Sequence, residues 1–420
     1  MNIPVLGAAR FPSPLKRWVN ESTRVPGTIL RSVDAPPNDS LLFELAGARR
    51  HLFFDPRETR AGIVTAGGLC PGLNDVVRSL FFEMHLAYGA KQVLGFRWGY
   101  SGLDPEHGAE PVVLTHEIVD RIHLQAGTIL GTSRGPVDIA RAVENLIHRG
   151  VNILFTIGGD GTQRGARELF EKAKRLGHAL AVVGIPKTID NDIPFVARSF
   201  GFLTAVQEAT KVLQRAHTEA RSVQNGIALV KLMGRHAGFL TAWATVASQE
   251  VNFTLIPEVP FRVEGQGGFL TALEQRIVKR GHAVIAVAEG AGQELLGNTG
   301  NERDPSGNVR LRDIGLFLRE KIEEWFKARN IPFVMRYFDP SYIVRSSPDN
   351  AVDAVLCDQF ARNAAHAAMA GKTGLVIGYL HDRFLHVPIG LLATQQKRLD
   401  PESPDWSAVL SSTGQPDRFA

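Results

Sequence analysis

Three short segments of this chain combine glycine with side chains able to hold a phosphate, a metal ion or a proton. The first is Gly67-Gly68-Leu69-Cys70-Pro71-Gly72-Leu73-Asn74, followed by Val76, Val77, Leu80 and Phe81 at helical spacing. Glycines at a strand-to-helix turn let backbone N–H groups approach an anion, and the helix N-terminus adds partial positive charge. A plain tight turn would use the same glycines. The second, Gly158-Gly159-Asp160-Gly161-Thr162, sets one carboxylate among glycines. That suits Mg²⁺, which takes one or two carboxylates and completes its shell with substrate phosphate oxygens; a helix cap is the competing use of Asp160. The third, Pro186-Lys187-Thr188-Ile189-Asp190-Asn191-Asp192-Ile193-Pro194, carries two carboxylates two residues apart. With an extended backbone between them they aim at one spot, where one takes the proton of a hydroxyl nucleophile and the other orients the reacting groups. Asx turns would also use them.

A fourth group is cationic. Met233-Gly234-Arg235 follows an apolar run, and Arg336, Tyr342 and Arg345 are spread over one ten-residue segment. Guanidinium forks bind phosphate through paired hydrogen bonds, although each arginine taken singly is a surface residue. Glu289-Gly290, after another apolar run, can accept from sugar hydroxyls. None of this is a P-loop: Gly371-Lys372-Thr373 resembles the end of one, but His366 stands where its first glycine is needed.

These segments need elements to hold them. Apolar β-branched runs at Gly62–Ala66, Gln92–Phe96, Asn152–Ile157, Ala179–Ile185, Ile227–Leu232, Asn252–Ile256, Val284–Ala288 and Leu375–Tyr379 predict strands, most followed by glycine or proline and then a helical stretch. Runs apolar on both faces imply sheets covered on both sides, so the fold class is α/β with mostly parallel, doubly wound sheets. Eight such strands predict two sheets and hence two Rossmann-like domains, with ligands at the carboxyl ends of the strands. Up to about Asp55 the sequence is irregular, broken by Pro36, Pro37 and Asn38, and residues 290–308 read as a loop.

Composition narrows the partners. Over 420 residues, 47 Lys and Arg against 43 Asp and Glu leave a net charge of +4, with no basic face or run, which argues against nucleic acid. At 44% hydrophobic and 21% charged, the chain can bury a large core. No apolar run approaches a membrane span, and the proline-bearing start, with Pro4, Pro12 and Pro14, does not read as a secretory leader. Two cysteines make no disulfide framework, so a cytoplasmic protein is expected.

Taken together, the segments resemble the phosphofructokinase family, whose members phosphorylate the 1-hydroxyl of fructose 6-phosphate. GGLCPGLN, GGDGT, PKTIDND, MGR and PSYIVR occur in the family's order from about Ala61 to beyond Arg345. GGDGT alone is shared with lipid and NAD kinases, whereas PKTIDND with MGR downstream is specific. The resemblance implies that Gly68, Arg134, Gly135 and Gly159 to Thr162 hold the nucleotide phosphates, and that Asp160 binds Mg²⁺. It implies Asp190 as general base, Asp192 as orienting partner, Lys187 as a phosphate contact and Arg235 as the stabiliser of transition-state charge. Thr188, Ile189, Asp190, Met233, Gly234, Arg235 and Glu289 would line the sugar pocket, while Arg336, Tyr342, Ile343, Val344 and Arg345 would hold the 6-phosphate and its surroundings. By the same resemblance, residues 1–60 form an N-terminal arm. Residues 61–200, with about 345–372, form the donor domain; 201–344 and 373–420 form the sugar-phosphate domain and tail, with the active site in the cleft between the two. An arginine equivalent to Arg336 reaches in from a neighbouring subunit in the family, so a homo-oligomer, dimer or tetramer, is implied.

Two departures and one mixed signal qualify this reading. Gly226 stands where many ATP-dependent relatives have an arginine, and Tyr342 where they have a histidine. Pyrophosphate users of the family typically have aspartate after the metal aspartate and lysine before TIDND, and common ATP users have glycine at both; this chain has Gly161 and Lys187. An aspartate at 161 would put bulk and negative charge where the α-phosphate must lie, so glycine favours ATP. A pyrophosphate-dependent phosphotransferase is the alternative. A lipid or NAD kinase would leave the carboxylates of TIDND idle, and a non-catalytic regulatory subunit would be expected to lack Asp160, Asp190 or Arg235.

Overall fold

The structure, a computed structural model, describes residues 1–30, 41–297, 303 and 309–420; the Pro36–Asn38 break and most of the 290–308 loop lie outside them. In chain order the strands are β1 (Phe11–Pro12), β2 (Arg24–Pro26), β3 (Leu42–Leu45), β4 (His51–Leu52), β5 (Arg60–Thr65), β6 (Gln92–Phe96), β7 (Val112–Val113) and β8 (Ile153–Gly158). They continue as β9 (Ala181–Pro186), β10 (Gly226–Leu232), β11 (Phe253–Leu255), β12 (His282–Ala288), β13 (Val334–Phe338), β14 (Leu375–Leu380) and β15 (Arg383–Pro388). The α-helices are α1 (Leu73–Phe82), α2 (His116–Val119), α3 (Ile139–His148), α4 (Asp160–Arg175), α5 (Phe202–Arg221) and α6 (Phe239–Ser248). After them come α7 (Phe269–Arg280), α8 (Ile314–Ala328), α9 (Ala351–Met369), α10 (Ile389–Leu392) and α11 (Pro404–Thr413).

Two compact units result. The first comprises Met1–Thr188, Ile193–Gly201 and Ser346–Gln396, the second Ile189–Asp192, Phe202–Arg345 and Lys397–Ala420. All eight strands expected from the sequence are present, each end within two residues.

The first unit is built on a nine-stranded sheet of order β2-β3-β15-β14-β9-β8-β5-β6-β7. Its middle is parallel, from β14 through β9, β8 and β5 to β6. Every residue of β8 and β9 is buried, as strands covered on both faces must be; α4 and α9 both pack on this pair. The expected boundaries need correction here. Residues 373–396 belong to this unit and not with 201–344, because β14 pairs with β9 at Leu375↔Val183 and returns antiparallel as β15. Nor is 1–60 only an arm, since β2 and β3 extend the same sheet through β15.

The second unit has a four-stranded, wholly parallel sheet of order β11-β12-β10-β13. Phe253, Phe269, Leu273, Ile285, Leu318 and Phe419 pack in its core. Strand β13 was not anticipated. It is the sheet's edge and is only partly buried, so it lacks the continuous apolar run that marked the inner strands. Among the described residues no helix is long and apolar enough to cross a membrane.

One packing contact of the first unit is titratable. Helix α1 opens at Gly72, where φ is +91° and a side chain would run into Cys357 Sγ of α9. Beside that close approach, the carboxyl of Asp75 in the first turn of α1 neighbours that of Asp349, just before the Asn350 cap of α9, and Oδ2 of each is buried without a hydrogen-bond partner. Burial pushes both carboxyls above their usual range, and for Asp75 the neighbouring Asp349 adds to it. A carboxyl that prefers its proton in the folded state loses stability as pH rises from about 4, its unfolded value, toward the folded one. Asp349→Asn should therefore raise the melting temperature at pH 8 by about 3 °C relative to wild type and leave it nearly unchanged at pH 4. Parallel melting curves against pH for the two proteins would contradict this reading.

Candidate active site

In the first unit three strand ends lie side by side. Because β9, β8 and β5 are adjacent and parallel, the loops 187–188, 159–162 and 66–72 leave from the same edge of the sheet. Lys187 ties them together: it is 5% exposed, and its Nζ donates to the Gly68 carbonyl at 2.5 Å. A Cβ on Gly67 would stand 3.4 Å from that Nζ and 3.9 Å from Thr162 Oγ1, so all three loops converge. A fourth segment joins them. The Gly67 N–H donates to the Ser133 carbonyl at 3.2 Å, and Thr132 Oγ1 donates to the Gly67 carbonyl at 2.6 Å. Exposed Arg134 and Gly135 follow directly.

Glycine 159 is the N-cap of α4 and Asp160 its first helical residue, exposed; Asp160 is not the cap. Two residues unremarked in the sequence steady this turn. Tyr100 donates its hydroxyl proton to the Thr162 carbonyl at 2.5 Å, and Gln163 Nε2 donates to the Gly158 carbonyl at 2.9 Å. Tyr100 has no local signal, because its partner lies 62 residues on; Gln163 directly follows the glycine segment, and its bond back to Gly158 is not marked by residue type. Gly161 has ordinary backbone angles, and a Cβ there would meet only Arg164 Nη2, at 3.6 Å. The fold therefore does not require glycine at 161.

In the second unit β10 and β12 run in register, Leu232 opposite Ala288, so Met233-Gly234-Arg235 and Glu289-Gly290 leave the sheet together. Gly234, at φ +131° with the Ala237 carbonyl close to where its Cβ would be, lets the two turns interlock through the Gly290 N–H to Gly234 carbonyl bond of 3.1 Å. Burial pushes the Glu289 carboxyl up, and Arg235, Lys231 and Arg345 act against that; these groups share one field. Lys231 Nζ donates to Asp313 at 2.6 Å and to Asp339 at 2.9 Å. Burial alone would lower the lysine's pKa, and these two bonds carry it above its usual value.

The segment 188–192 corrects one expectation. Asn191 has φ +55°, a left-handed conformation that asparagine tolerates, so the backbone is not extended between Asp190 and Asp192. The chain turns there, and Asp192 acts on His236 and Lys397. Thr188 belongs to the first unit, where its carbonyl accepts from Ser199 Oγ at 2.7 Å; Ile189 is 5% exposed.

The 6-phosphate set divides. Arg345 lies over the Tyr342 ring at 4.9 Å, with Tyr342 and Ile343 exposed and Val344 fully buried. Arg336 is not brought to them. It sits opposite Ala228, four residues short of the end of β10, and pairs at 3.8 Å with Glu219. Gly226 opens the same strand, about 20 Å from its carboxyl end at the usual rise, and its Cβ would collide with the Ala220 carbonyl. A missing arginine at 226 thus leaves this chain's own strand-end cluster intact.

Over most of its length the chain is similar to phosphofructokinases. The family model described as phosphofructokinase matches residues 60–368. The ATP-dependent 6-phosphofructokinase of Borreliella burgdorferi is 45% identical over 406 residues, 95% of this chain and 91% of its own. That of Amycolatopsis methanolica is 43% identical, covering 100% and 95%, and that of Trypanosoma brucei brucei 41%, covering 98% and 87%. Among solved structures, the pyrophosphate-dependent phosphofructokinase of Marinobacter aquaeolei superposes with a TM-score of 0.69 at 20% identity, covering 86% of this chain and 93% of that one. Pichia pastoris phosphofructokinase in the T-state gives 0.66 at 22%, covering 84% of this chain, which spans only 37% of that longer one. At such identities the structures speak for the fold alone.

The lysine network of the second unit is open to test. Lys231→Met would leave Asp313 and Asp339 facing each other without their shared cation. Thermal and denaturant unfolding should show a loss of about 2 kcal/mol. An unchanged midpoint would mean that the network contributes nothing to the fold.

Proposed function

The chain belongs to the phosphofructokinase family, and from that membership we propose that it transfers the γ-phosphoryl group of MgATP to the 1-hydroxyl of fructose 6-phosphate. The products are fructose 1,6-bisphosphate and ADP, and the protein is an ATP-dependent 6-phosphofructokinase. The observation that carries the reading is the convergence of the 66–72, 131–135, 159–162 and 187–188 segments around the Lys187 to Gly68 bond, in a chain 43–45% identical to relatives named for this activity.

In this reading Gly68, Arg134, Gly135 and Gly159 to Thr162 receive the nucleotide phosphates. Asp160, exposed at the start of α4 beside the open face of Gly161, fits as the Mg²⁺ ligand; bound Mg²⁺ neutralises charge on the β- and γ-phosphates. Asp190 takes the proton of the 1-hydroxyl as that oxygen bonds to the γ-phosphorus and the bond to the bridging oxygen of ADP breaks. Arg235 faces the charge that develops on the transferring group. Thr188, Ile189, Met233, Gly234 and Glu289 line the sugar pocket, and Tyr342, Ile343 and Arg345 serve the 6-phosphate. Val344, being fully buried, can offer only its backbone.

Two observations refine the roles. Lys187 spends its ammonium on the Gly68 carbonyl, so a lysine at this position supports the phosphate loop as well as attracting phosphate, and does not by itself select pyrophosphate. Arg336 lies on the sheet's edge strand and away from its own chain's strand-end cluster, which supports a homo-oligomer in which it serves a neighbouring copy.

Replacing the base should separate chemistry from binding. Asp190→Asn should lower kcat by about a thousandfold while KM for fructose 6-phosphate changes little; a variant with wild-type turnover would remove Asp190 from the role. Gly161→Asp probes the donor. We expect kcat/KM for ATP to fall about a hundredfold and pyrophosphate to become a donor; full ATP activity with no gain for pyrophosphate would show that position 161 does not choose between them.

A further inference from the structure

A further strand of the first unit ends at the same edge as the loops after β5 and β8. Strand β6 is parallel to β5 and lies on the side away from β8. Two residues beyond its last residue, Phe96, stands Trp98, 56% exposed, although tryptophan is highly buried on average. Its backbone is left-handed, at φ +66° and ψ +45°. Glycine and asparagine enter that region with little strain, and a bulky residue enters it at a cost. The turn therefore holds an indole in solvent where a smaller residue would suit the backbone better, and backbone strain of this kind gathers at ligand sites.

The 131–135 segment seats that ring. The Trp98 N–H donates to the Leu130 carbonyl at 2.8 Å. A Cβ on Gly131, itself at φ +63°, would stand 2.5 Å from both Cε3 and Cζ3 of Trp98, so the indole lies directly on the glycine α-carbon. Next along both segments, a Cβ on Gly99 would meet Ser133 Oγ at 2.6 Å and Ser133 N at 2.9 Å. The same turn runs on to Tyr100, whose hydroxyl holds the Thr162 carbonyl. Trp98 is thus fixed to both the 131–135 and the 159–162 segments, yet among the described residues no ring, cation or hydrogen-bond partner takes up its indole. From Gly131 the chain reaches Arg134 in three residues, at most about 11 Å, which is the scale of a nucleoside.

We propose that Trp98 is a specificity-determining residue for the phosphoryl donor: seated on Gly131, its indole is the platform on which the base of a purine nucleotide stacks. This rests on the reading of Arg134, Gly135 and the 159–162 loop as the donor-phosphate site. A stacked ring adds affinity for a nucleoside triphosphate and none for pyrophosphate. Because every base has a π-face, it selects nucleotide over bare phosphate and does not choose adenine over guanine.

The test compares full-length wild type, Trp98→Asn and Trp98→Phe. Asparagine suits the left-handed backbone and removes the ring. It should raise KM for ATP about tenfold, while kcat stays within about threefold and KM for fructose 6-phosphate within about twofold of wild type. Phenylalanine keeps a smaller ring, and its KM for ATP should stay within about threefold of wild type. Binding gives a second readout: MgADP should quench the tryptophan fluorescence of wild type, magnesium tripolyphosphate should not, and the MgADP quench should be largely lost in Trp98→Phe.

An Asn variant whose KM for ATP stays within about twofold of wild type overturns the inference. So does a change confined to melting temperature or oligomer size, which a packing or assembly role would give. Should the Asn variant not fold, a Phe variant that keeps the full MgADP quench overturns it equally. Wild type that neither binds MgADP nor turns over fructose 6-phosphate overturns the functional reading and this inference with it, whereas wild-type turnover with ATP and an indifferent Asn variant overturns the inference alone.

Discussion

A buried ammonium holds three strand-end loops of the first unit in order. Lys187 sits at the end of β9, almost without solvent, and donates a hydrogen bond to the carbonyl of Gly68 in the loop after β5. Drying a lysine is costly unless it is bonded, so its presence commits both loops to one arrangement, with the β8 loop between them. The order β9-β8-β5 is what makes such a bond possible. Parallel strands deliver their carboxyl ends to one edge, and glycines there leave backbone N–H groups uncovered for phosphate. Tyr100, Thr132 and Gln163 then pin the same loops.

The second unit depends on a different device. In-register pairing of β10 with β12 sends Arg235 and Glu289 out side by side, and Lys231 behind them gathers Asp313 and Asp339. Charges of both signs are thus fixed before any ligand arrives, which is what phosphoryl transfer asks of a protein that contributes positioning and electrostatics but little covalent chemistry. The four residues Ile189–Asp192 belong to this half although their flanks belong to the other. One loop therefore carries both Lys187, which orders the turns after β5 and β8, and Asp190, the carboxylate proposed to take the proton.

Much of this was legible in the amino-acid order. Inner strands announce themselves as continuous apolar runs because both faces are covered, and all eight of those predicted are present. What stayed hidden lacked that signature: β13 at an edge, partly exposed; β15, which opens on exposed Arg383; and β2 and β3, short strands in an irregular, proline-broken beginning. The assignment of residues 373–396 failed for a related reason, since strand pairing across almost 200 residues leaves no local trace. Side-chain direction was the other gap. Asp190 and Asp192 were expected to aim together through an extended backbone, and the left-handed Asn191 between them turns the chain. Val344 sits inside the core.

The central claim is that this arrangement moves a phosphoryl group from ATP to the 1-hydroxyl of fructose 6-phosphate. The most direct measurement is a coupled assay for fructose 1,6-bisphosphate with purified protein, fructose 6-phosphate and Mg²⁺, offering ATP and pyrophosphate in separate reactions. Turnover with ATP and little or none with pyrophosphate is the predicted result. Bisphosphate formed from pyrophosphate alone, or from neither donor, would contradict the account.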